Sequence, residues 1–575
     1  YIHTILGGYF YFGTRGYNLT FRQSPTQIVA EGGFNRPDLL QSLTYSDGAS
    51  SHDQKIDQLA FYVQDDWKIT PKLTLNIGLR WDANIGNLFK QDQNRTMLIL
   101  QQVNHPLARA LTGDPDKLTR TTPSWKEFQP RVGFAYDPWG DAKTVIRGGY
   151  GIFYDQLFQN LTLFSATQSE PQIFQTAINL TRPAGDPDPN SPLYNVRLGG
   201  PLPQPPPGFN FSNLVPGAVG RINDPDNEEP YIQKFSIGFQ RELTNNLSLS
   251  SDYVHTLGLH EPRFLNINPL ISGVCNPAFP GALPANDPTY PTRCPRGTST
   301  RLLDPAFVAA GLGANRVGQI NMFATTNRSL FDSWTTTLKY RTARYIVNAS
   351  YVLASSRAWG GQPTASYSGN GIVVTPEQQF ADGEFGPTRM DERHRFVMSG
   401  VINLPYGFSL SPIMQLASAR PYSPVLGIDI DGDGLATLDR PCVGVDLGAV
   451  FAARGNTTAL RALNPLGCRQ TSVNTQRNGF VVTSGGVEER SGRFFNVDLR
   501  VTKNWRFGER FGLSTYMDLY NVFNTENLSY GSRIGLSAPA TSSSQFLQPL
   551  SLFGPGFGPP VGRPFTAQLG ARFTF

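Results

Sequence analysis

Charge is scarce in this sequence, and long apolar runs are missing. Charged residues make up 16% of the 575 residues, whereas about 25% is typical of soluble proteins. No segment approaches the roughly 18 consecutive apolar residues of a membrane-spanning helix. The formal net charge of +5 is small for this length and does not indicate a nucleic-acid partner. These absences leave two classes, a membrane β-barrel and a soluble all-β protein with long loops.

Sequence motifs of enzymes are missing as well. The chain contains no P-loop, no G-x-S-x-G and no H-E-x-x-H, and its six histidines are scattered. The stretch GLGANRVG, residues 311–318, is a poor dinucleotide-binding loop, because Arg316 occupies the place of the third glycine. We therefore expect that the protein is not an enzyme.

The N-terminal residues lack the marks of a complete exported protein. The chain starts at Tyr1 inside a strand-like stretch, YIHTILGGYFYFG, with no initiator methionine. It also lacks the basic region and the apolar region of a signal peptide. Because exported proteins are made with such a leader, we expect that this chain lacks its N-terminus.

Aromatic residues and glycine are abundant, and the C-terminal end shows how they are arranged. Aromatics make up 12% of the chain, beside 57 glycines and 45 prolines. In FTAQLGARFTF, residues 565–575, apolar residues alternate with small or polar ones. A period of two indicates a strand with one apolar face and one wet face. Its eleven residues are about the length that a tilted strand needs to cross a bilayer.

The same alternation recurs in six pairs of segments, each pair joined by a short turn. These hairpins cover residues 59–67 with 73–81, 131–137 with 144–155, 234–240 with 247–254, 334–340 with 345–353, 395–404 with 408–417, and 494–505 with 511–523. An opening strand near residues 2–13 and the closing strand 565–575 bring the number to 14. Stretches rich in Pro, Gly, Asn and Asp separate the hairpins.

Short turns on one side and long loops on the other are typical of outer-membrane barrels. The sequence therefore predicts an all-β protein, a transmembrane antiparallel β-barrel of about 14 strands in this chain. Its long loops are expected outside the cell and its short turns in the periplasm. Lipid of the cell outer membrane is then a partner. Trp67, Trp139 and Trp505 lie at or beside short turns, where an interfacial aromatic girdle is expected.

Polar residues that alternate with the apolar ones are predicted to face the lumen. The residues singled out on this face are Asn76, Arg80, Arg147, Asp252, Asn348, Asp498, Arg500 and Asp518. They are candidates for lining a solute path. The pattern allows equally that they tile the wall with paired charges.

Four cysteines fall into two local pairs within loop-like sequence. Cys275 and Cys294 are 19 residues apart, and Cys442 and Cys468 are 26 residues apart. No histidine stands near them at zinc-ligand spacing. We predict two disulfides in an oxidising compartment, with four free thiols as the alternative.

The stretch DIDGDGLATLDRP, residues 429–441, resembles a calcium loop. Asp429, Asp431 and Asp433 occupy positions 1, 3 and 5, and a glycine follows at position 6. Arg440 stands where a bidentate glutamate is required, and Asp439 lies one residue early. The prediction is weak Ca²⁺ binding that stiffens an extracellular loop, with a solvated acidic turn as the alternative. No other cofactor is expected.

Three stretches resemble the barrel of TonB-dependent receptors, most closely the Oar-like subgroup. They are FYVQDDWKITPKLTLNIGLRWD (61–82), MDERHRFVMSGVINLPYGFSL (390–410) and MDLYNVFNTENL (517–528), and the resemblance extends over about residues 57–575. It implies a 22-stranded barrel with an N-terminal plug and a TonB-contacting segment. Oar-like members add a small carboxypeptidase-regulatory-like domain. Residues 1–575 would then be the C-terminal barrel portion, without signal peptide, plug or regulatory-like domain.

The resemblance implies TonB-dependent uptake, or transfer, of a large or scarce solute through a plugged barrel. TonB would act through a plug that is not in this chain, and the extracellular ligand is unknown. The terminal Phe573 and Phe575 resemble the C-terminal signature that the barrel-assembly machinery recognises. Two alternatives stay open, a self-closed passive pore and a barrel-anchored surface adhesin or scaffold.

Overall fold

A computed structural model gives the fold of most of the chain. It describes residues 2–9, 16–21, 25–30, 40–48, 51–157, 165–181, 193, 201–270, 301–360, 376, 379–381, 383–428, 439–465, 468–483, 486–508, 510–530, 549–552 and 564–575.

Strands dominate the described residues. In chain order they are β1 (Ile2–Tyr9), β2 (Gly16–Phe21), β3 (Leu40–Asp47), β4 (Ser51–Thr70), β5 (Leu73–Ile85), β6 (Glu127–Tyr136), β7 (Thr144–Tyr154), β8 (Gln175–Thr181), β9 (Gly220–Asn223), β10 (Tyr231–Thr244), β11 (Leu247–Asn266), β12 (Ile320–Arg341), β13 (Tyr345–Trp359), β14 (Phe385–Pro387), β15 (His394–Asn403), β16 (Phe408–Ala417), β17 (Asn478–Thr483), β18 (Gly486–Ser491), β19 (Phe494–Phe507), β20 (Phe511–Tyr520), β21 (Leu528–Tyr530), β22 (Pro549–Leu552) and β23 (Thr566–Thr574).

Helices are short and lie between the strands. They cover Pro25–Ala30, Arg95–Leu100, Pro106–Thr112, Pro115–Thr119, Asp304–Ala309, Leu447–Ala452 and Thr457–Leu463, with one 3₁₀ turn at Pro405–Gly407. Among the described residues, no helix has both the length and the apolar character needed to cross a membrane.

Fourteen strands form one continuous antiparallel path. Its order is β1-β4-β5-β6-β7-β10-β11-β12-β13-β15-β16-β19-β20-β23, with the short β9 beside β12 and β14 beside β13. All six predicted hairpins are present in this path, together with the opening and closing strands. The predicted number of 14 strands is therefore confirmed. Within the described residues, β1 and β23 each pair with one neighbour of the path and form its two edges.

The strands differ from their predicted bounds mainly at the loop side. β12 begins at Ile320, whereas alternation predicted a strand from residue 334. Its first residues are buried on both faces, so the sequence there has no period of two. β20 ends earlier than predicted, at Tyr520, because Asn521 adopts a left-handed backbone with φ of 48°.

Cross-strand register places the apolar residues of the closing strand on one outer face. Phe573 lies opposite Leu513, and Leu569 lies opposite Met517. The alternate residues face the other way, with Gln568 opposite Asp518. The exposed rings of Trp67, Trp139 and Trp505 lie near the short turns, as an aromatic girdle requires.

The long loops fold into packed clusters rather than extended connections. The first loop cluster buries side chains from well-separated segments: Met97, Ile99, Leu100, Val103, Ala108, Leu111, Leu118, Ile173, Leu214, Ile222, Leu265, Ile267, Leu303, Phe307, Val317, Ile320, Met322 and Ala324. Its helices begin at sequence-encoded caps. The Asn94 side chain accepts from the N–H groups of Thr96 and Met97, and Pro106 opens the next helix.

A second loop cluster lies between β16 and β19 and extends to β21. Its buried residues are Tyr422, Leu426, Ile428, Val450, Phe451, Leu460 and Tyr530. A disulfide joins Cys442 to Cys468 beside this cluster, with their Cα atoms 5.7 Å apart. This is one of the two predicted disulfides. Cys275 and Cys294 lie outside the described residues.

Candidate functional site

One face of the strand path carries the polar residues predicted for the lumen. The register runs without interruption across the neighbours, for example from Asn348 through Ser399 and Ile413 to Asp498. The eight predicted residues alternate with the apolar outer face on their strands. The structure therefore brings them to a common face, although they come from six different strands.

Arg147 and Asp252 form an ion pair that crosses an intervening strand. Arg147 Nε donates to Asp252 Oδ1 at 3.0 Å, and its Nη2 donates to Oδ2 at 2.9 Å. Between them lies Gly238 of β10, which is in register with both residues. A Cβ atom on Gly238 would lie 2.1 Å from Asp252 Oδ1. The glycine therefore leaves the space through which the bidentate pair forms.

Arg500 and Asp518 form a second bidentate pair on the same face. Arg500 Nε donates to Asp518 Oδ1 at 2.5 Å, and Nη2 donates to Oδ2 at 2.9 Å. The Arg500 guanidinium also lies 4.6 Å from the centre of the Tyr516 ring. That ring covers Gly570, where an added Cβ would come within 2.3 Å of Tyr516 Cζ. A glycine again provides the room for the charged pair and its aromatic support.

The other predicted lumen residues have closer partners. Asn76 donates to Asp66 at 2.5 Å, and Arg80 Nε donates to Asp82 at 2.9 Å. The Asp498 carboxylate accepts from the Asn496 side chain at 2.9 Å.

Asp498 also accepts from the backbone N–H of Asn521 at 2.8 Å, which fixes the bend after β20. Asn348 is exposed on the same face. Arg147 and Arg500 are each paired with a carboxylate that balances their charge. Both guanidinium side chains are about half-exposed, so they also line the inner face.

A buried ion network attaches the loops to the wall. Glu384 accepts from Arg263 of β11 at 3.2 Å and from Arg440 at 2.8 Å, and all three side chains are largely buried. Arg440 Nε also donates to the carbonyl of Thr471 at 2.7 Å. Buried charges are stable only when paired in this way. Arg440, the residue that departs from the calcium pattern, is therefore used to hold the second loop cluster.

The calcium prediction falls mostly on residues that the structure does not describe. Asp429, Asp431 and Asp433 lie outside the described residues. Asp439 is described and buried, and its Oδ1 accepts from the Gln470 side chain at 3.1 Å. Within the described part of the chain, no group of three His, Cys, Asp or Glu side chains is placed to hold a metal. Calcium binding stays a prediction.

Glu229 connects three segments of the first loop region. It is fully buried, and its carboxylate accepts from the Asn87 side chain at 2.7 Å and from the N–H of Leu157 at 2.6 Å. Burial raises the pKa of Glu229 from its ordinary value of 4.5 to about 7. This carboxyl group therefore titrates near neutral pH while it holds the loops after β5 and β7 together.

Most of the chain matches one known protein family. The family described as outer membrane beta barrel domain matches residues 7–553. None of the curated proteins matches the chain.

Solved structures with a similar fold include the outer membrane transporter YddB from Escherichia coli, with 9% identity and a TM-score of 0.43, covering 93% of this chain and 46% of that one. The siderophore receptor PiuA from Acinetobacter baumannii has 10% identity and a TM-score of 0.38, with 93% and 44% covered. The ferripyoverdine receptor of the Pseudomonas aeruginosa outer membrane has 10% identity and a TM-score of 0.39, with 92% and 39% covered. The chain thus spans less than half the length of each of these structures.

Proposed function

The chain belongs to the outer membrane beta barrel domain family, and we propose that it forms the wall of a receptor or transporter for a large or scarce solute. It is a protein of the outer membrane. In this proposal the solute binds to the folded loops outside the cell and passes the polar face of the wall. The process is vectorial transfer, in which no covalent bond is broken.

The observation that carries this proposal is the pair of charge bridges on the inner face. Arg147–Asp252 and Arg500–Asp518 are bidentate, each relies on a glycine, and each guanidinium keeps an exposed edge. Such fixed, half-exposed charges offer hydrogen bonds to water, to a passing polar solute or to a plug.

TonB-dependent gating is the finer part of the proposal. A plug from another part of the full-length protein would fill the lumen, and TonB would move it. The strand path supports this over a self-closed pore, because within the described residues β1 and β23 are not paired to each other. An unpaired strand edge is unfavourable in lipid.

The test that separates a gated receptor from a pore is solute entry into vesicles. The native full-length protein is purified from outer membranes and reconstituted into liposomes, and swelling is measured in arabinose and in stachyose. A plugged receptor gives no swelling above empty liposomes. Rapid swelling in arabinose would instead establish a passive pore.

Energy coupling is tested in cells. The native strain, a strain lacking this protein and a strain lacking TonB are compared for use of ferric siderophores, cobalamin and long maltodextrins. The proposal expects at least one of these solutes to require both proteins. If every solute is used equally by all three strains at limiting concentration, TonB-dependent uptake of these classes is ruled out.

A surface adhesin is the second candidate, and the hairpin of β17 and β18, whose second strand is exposed, favours it. All residues of β18 are exposed, beside a loop cluster with its own core. Removing this hairpin would abolish binding to a surface partner and leave solute uptake intact if adhesion is the function. Loss of uptake would show instead that the hairpin takes part in solute transport.

We also propose that the C-terminal aromatics act during assembly. The Phe573 ring stacks with Phe511 at 5.9 Å and with Phe575 at 6.3 Å, all on the outer face. Replacing Phe575 by Ala is expected to lower the folded fraction in outer membranes several-fold. The same change at Phe565, on the same face of the strand, is the control.

A further inference from the structure

The outer face of the wall changes from apolar to polar at one level. On β13, Tyr351, Leu353 and Ser355 point outward in alternation, and Ser355 lies ten residues above Tyr345 at the short turn. With a rise of about 3.3 Å per residue and a tilt of about 40°, Ser355 is roughly 25 Å above the turn. That height equals the apolar band of an outer-membrane barrel. Ser355 therefore lies at the outer boundary of the lipid.

Neighbouring strands show the same change at the same register. Asp332 of β12 lies opposite Ser355, and it accepts hydrogen bonds from the Tyr253 hydroxyl at 2.7 Å and pairs with His255 at 2.8 Å. Just below them is the exposed ring of Trp334, 6.1 Å from the Tyr253 ring. Aromatic rings followed by polar groups mark the interface between lipid tails and headgroups.

A cavity of about 280 Å³ opens at this level beside β13 and β15. Its lining includes Ser355, Arg357, Asp391, Arg393, Ser418 and Arg477. Three guanidiniums thus surround one carboxylate. Arg357 and Ser355 belong to the outward face of β13, so the cavity reaches the lipid side of the wall.

At the floor of the cavity, Asp391, the one carboxylate of the lining, already has hydrogen-bond partners. Asp391 is buried, and it accepts from the backbone N–H of Ser356 at 2.7 Å and from Arg477 Nη2 at 2.6 Å. Arg477 also donates to the carbonyl of Ala419. The acidic side chain is therefore already matched.

The two other arginines remain available for an anion. Arg393 donates one N–H to the carbonyl of Ala354 at 3.3 Å and is otherwise exposed. Arg357 is exposed as well and interacts electrostatically with Asp332 on the same outward face, but within the described residues neither arginine forms a salt bridge. Ser355 and Ser418 add hydroxyl groups between them.

We propose that this cavity binds a phosphate group in the headgroup of an outer-leaflet lipid. Guanidinium forks match phosphate oxygens in bidentate geometry, and hydroxyl groups supply further donors. Tyr351 and Leu353, directly below on the same face, would contact the acyl chains of the same molecule. This apolar surface beneath the cavity favours a lipid over free phosphate. The proposal does not depend on the solute that the protein transports.

Native mass spectrometry of the detergent-purified protein tests the site. The probes are bisphosphorylated lipid A, the same lipid without phosphates, and inorganic phosphate. We expect lipid A to bind more tightly than either of the others. Near a membrane surface each arginine contributes about fivefold, so Arg357→Gln with Arg393→Gln should weaken lipid A binding about 25-fold.

Arg109→Gln is the matched control, because Arg109 is exposed on a helix of the first loop cluster, and no residue of that cluster lines the cavity. It should leave lipid binding unchanged. Folding of each variant is checked by its heat-modifiable band. If the double variant fails to fold, the two single variants test the site, and each should weaken lipid A binding about fivefold. Equal binding by the arginine variants and the control would overturn the site. Inorganic phosphate binding as tightly as lipid A would overturn its assignment to a lipid.

Discussion

The two halves of β12 (Ile320–Arg341) occupy opposite environments within one strand. Its first six residues are all buried, whereas its last four are all exposed. β11 shows the same contrast, because its last five residues are buried beneath the loops. The lower half has the alternation of a membrane wall, and the upper half is the base of a globular cluster. Along one strand, the side chains therefore face lipid and lumen in the lower half and a protein core in the upper half.

This contrast separates two kinds of stability in the same chain. The lower wall is held by strand pairing and by charge bridges that stay partly exposed. The upper region is held by hydrophobic burial, a disulfide and buried ions. Changes that act on one region should leave the other region largely unaffected.

The largest effect is expected from Phe307→Ala in the first loop cluster. Phe307 is fully buried, so its removal should cost about 3–5 kcal/mol of loop-cluster stability. Limited proteolysis would show faster cleavage of the loops, while the heat-modifiable band of the barrel persists. Phe239→Ala, on the exposed outer face of β10, is the control and should not affect the loops. Equal loop cleavage in both variants would contradict the separation.

Removing the disulfide should have the next largest effect, confined to the second loop cluster. Cys442 and Cys468 close a loop with a sequence separation of 26, for which about 2–4 kcal/mol is typical. The double serine variant should therefore be cleaved faster within residues 418–493 only. Cleavage of the first loop cluster at an unchanged rate is the internal control. Faster cleavage throughout would show that the clusters unfold together.

A smaller, pH-dependent effect is expected at Glu229. Its pKa is raised from 4.5 to about 7. The stabilisation is therefore complete below about pH 4.5 and is lost as the pH rises through about 7. Hydrogen exchange of the Leu157 amide, corrected for intrinsic rate, should report weaker protection at pH 8 than at pH 5.

Two variants sharpen this measurement. Glu229→Gln should remove the pH dependence of Leu157 protection, because no titrating group then receives that N–H. Glu228→Gln changes an exposed neighbouring carboxylate and should keep the dependence. A pH dependence that survives in Glu229→Gln would assign it to another group.

The smallest effect is expected in the wall, at the bridge between Arg147 and Asp252. Both side chains are partly exposed, so Asp252→Asn should cost no more than about 1 kcal/mol in urea unfolding. Gly238→Ala should cost at least as much, because its Cβ would occupy the space of Asp252 Oδ1 and would also lie 2.7 Å from the backbone oxygen of Ser251. Gly133→Ala, at a position with ordinary spacing, is the matched control. A loss in the control equal to that in Gly238→Ala would show a general glycine effect.

The wall was largely predictable because its signals are local. Each hairpin places alternation on both sides of a short turn, and the pair Cys442–Cys468 is close in sequence. The loop clusters were not predictable in this way. Met97, Ile222 and Phe307 meet in one core although more than 80 residues separate each from the next. Their burial follows from tertiary packing, for which a short stretch of sequence carries no periodic signal.

The lumen residues show the same limit at smaller scale. Alternation placed Arg147 and Asp252 on the inner face, but it could not pair them across β10. The available signal was Gly238, a glycine that interrupts the side-chain pattern of FSIGFQ. A glycine inside a strand indicates a close approach by another group, and here that group is a side chain from the next strand.

The missing side chain at Gly238 also makes the Arg147–Asp252 bridge depend on the register of β10 against its two neighbours. A slip of β10 by one residue would turn its whole apolar face inward. A slip by two would put Ser236 or Gln240 between Arg147 and Asp252, and their side chains would fill the passage that the bridge needs. Of these registers, only the observed one lets Arg147 and Asp252 form their ion pair. The pair therefore favours the correct alignment of β7, β10 and β11 together.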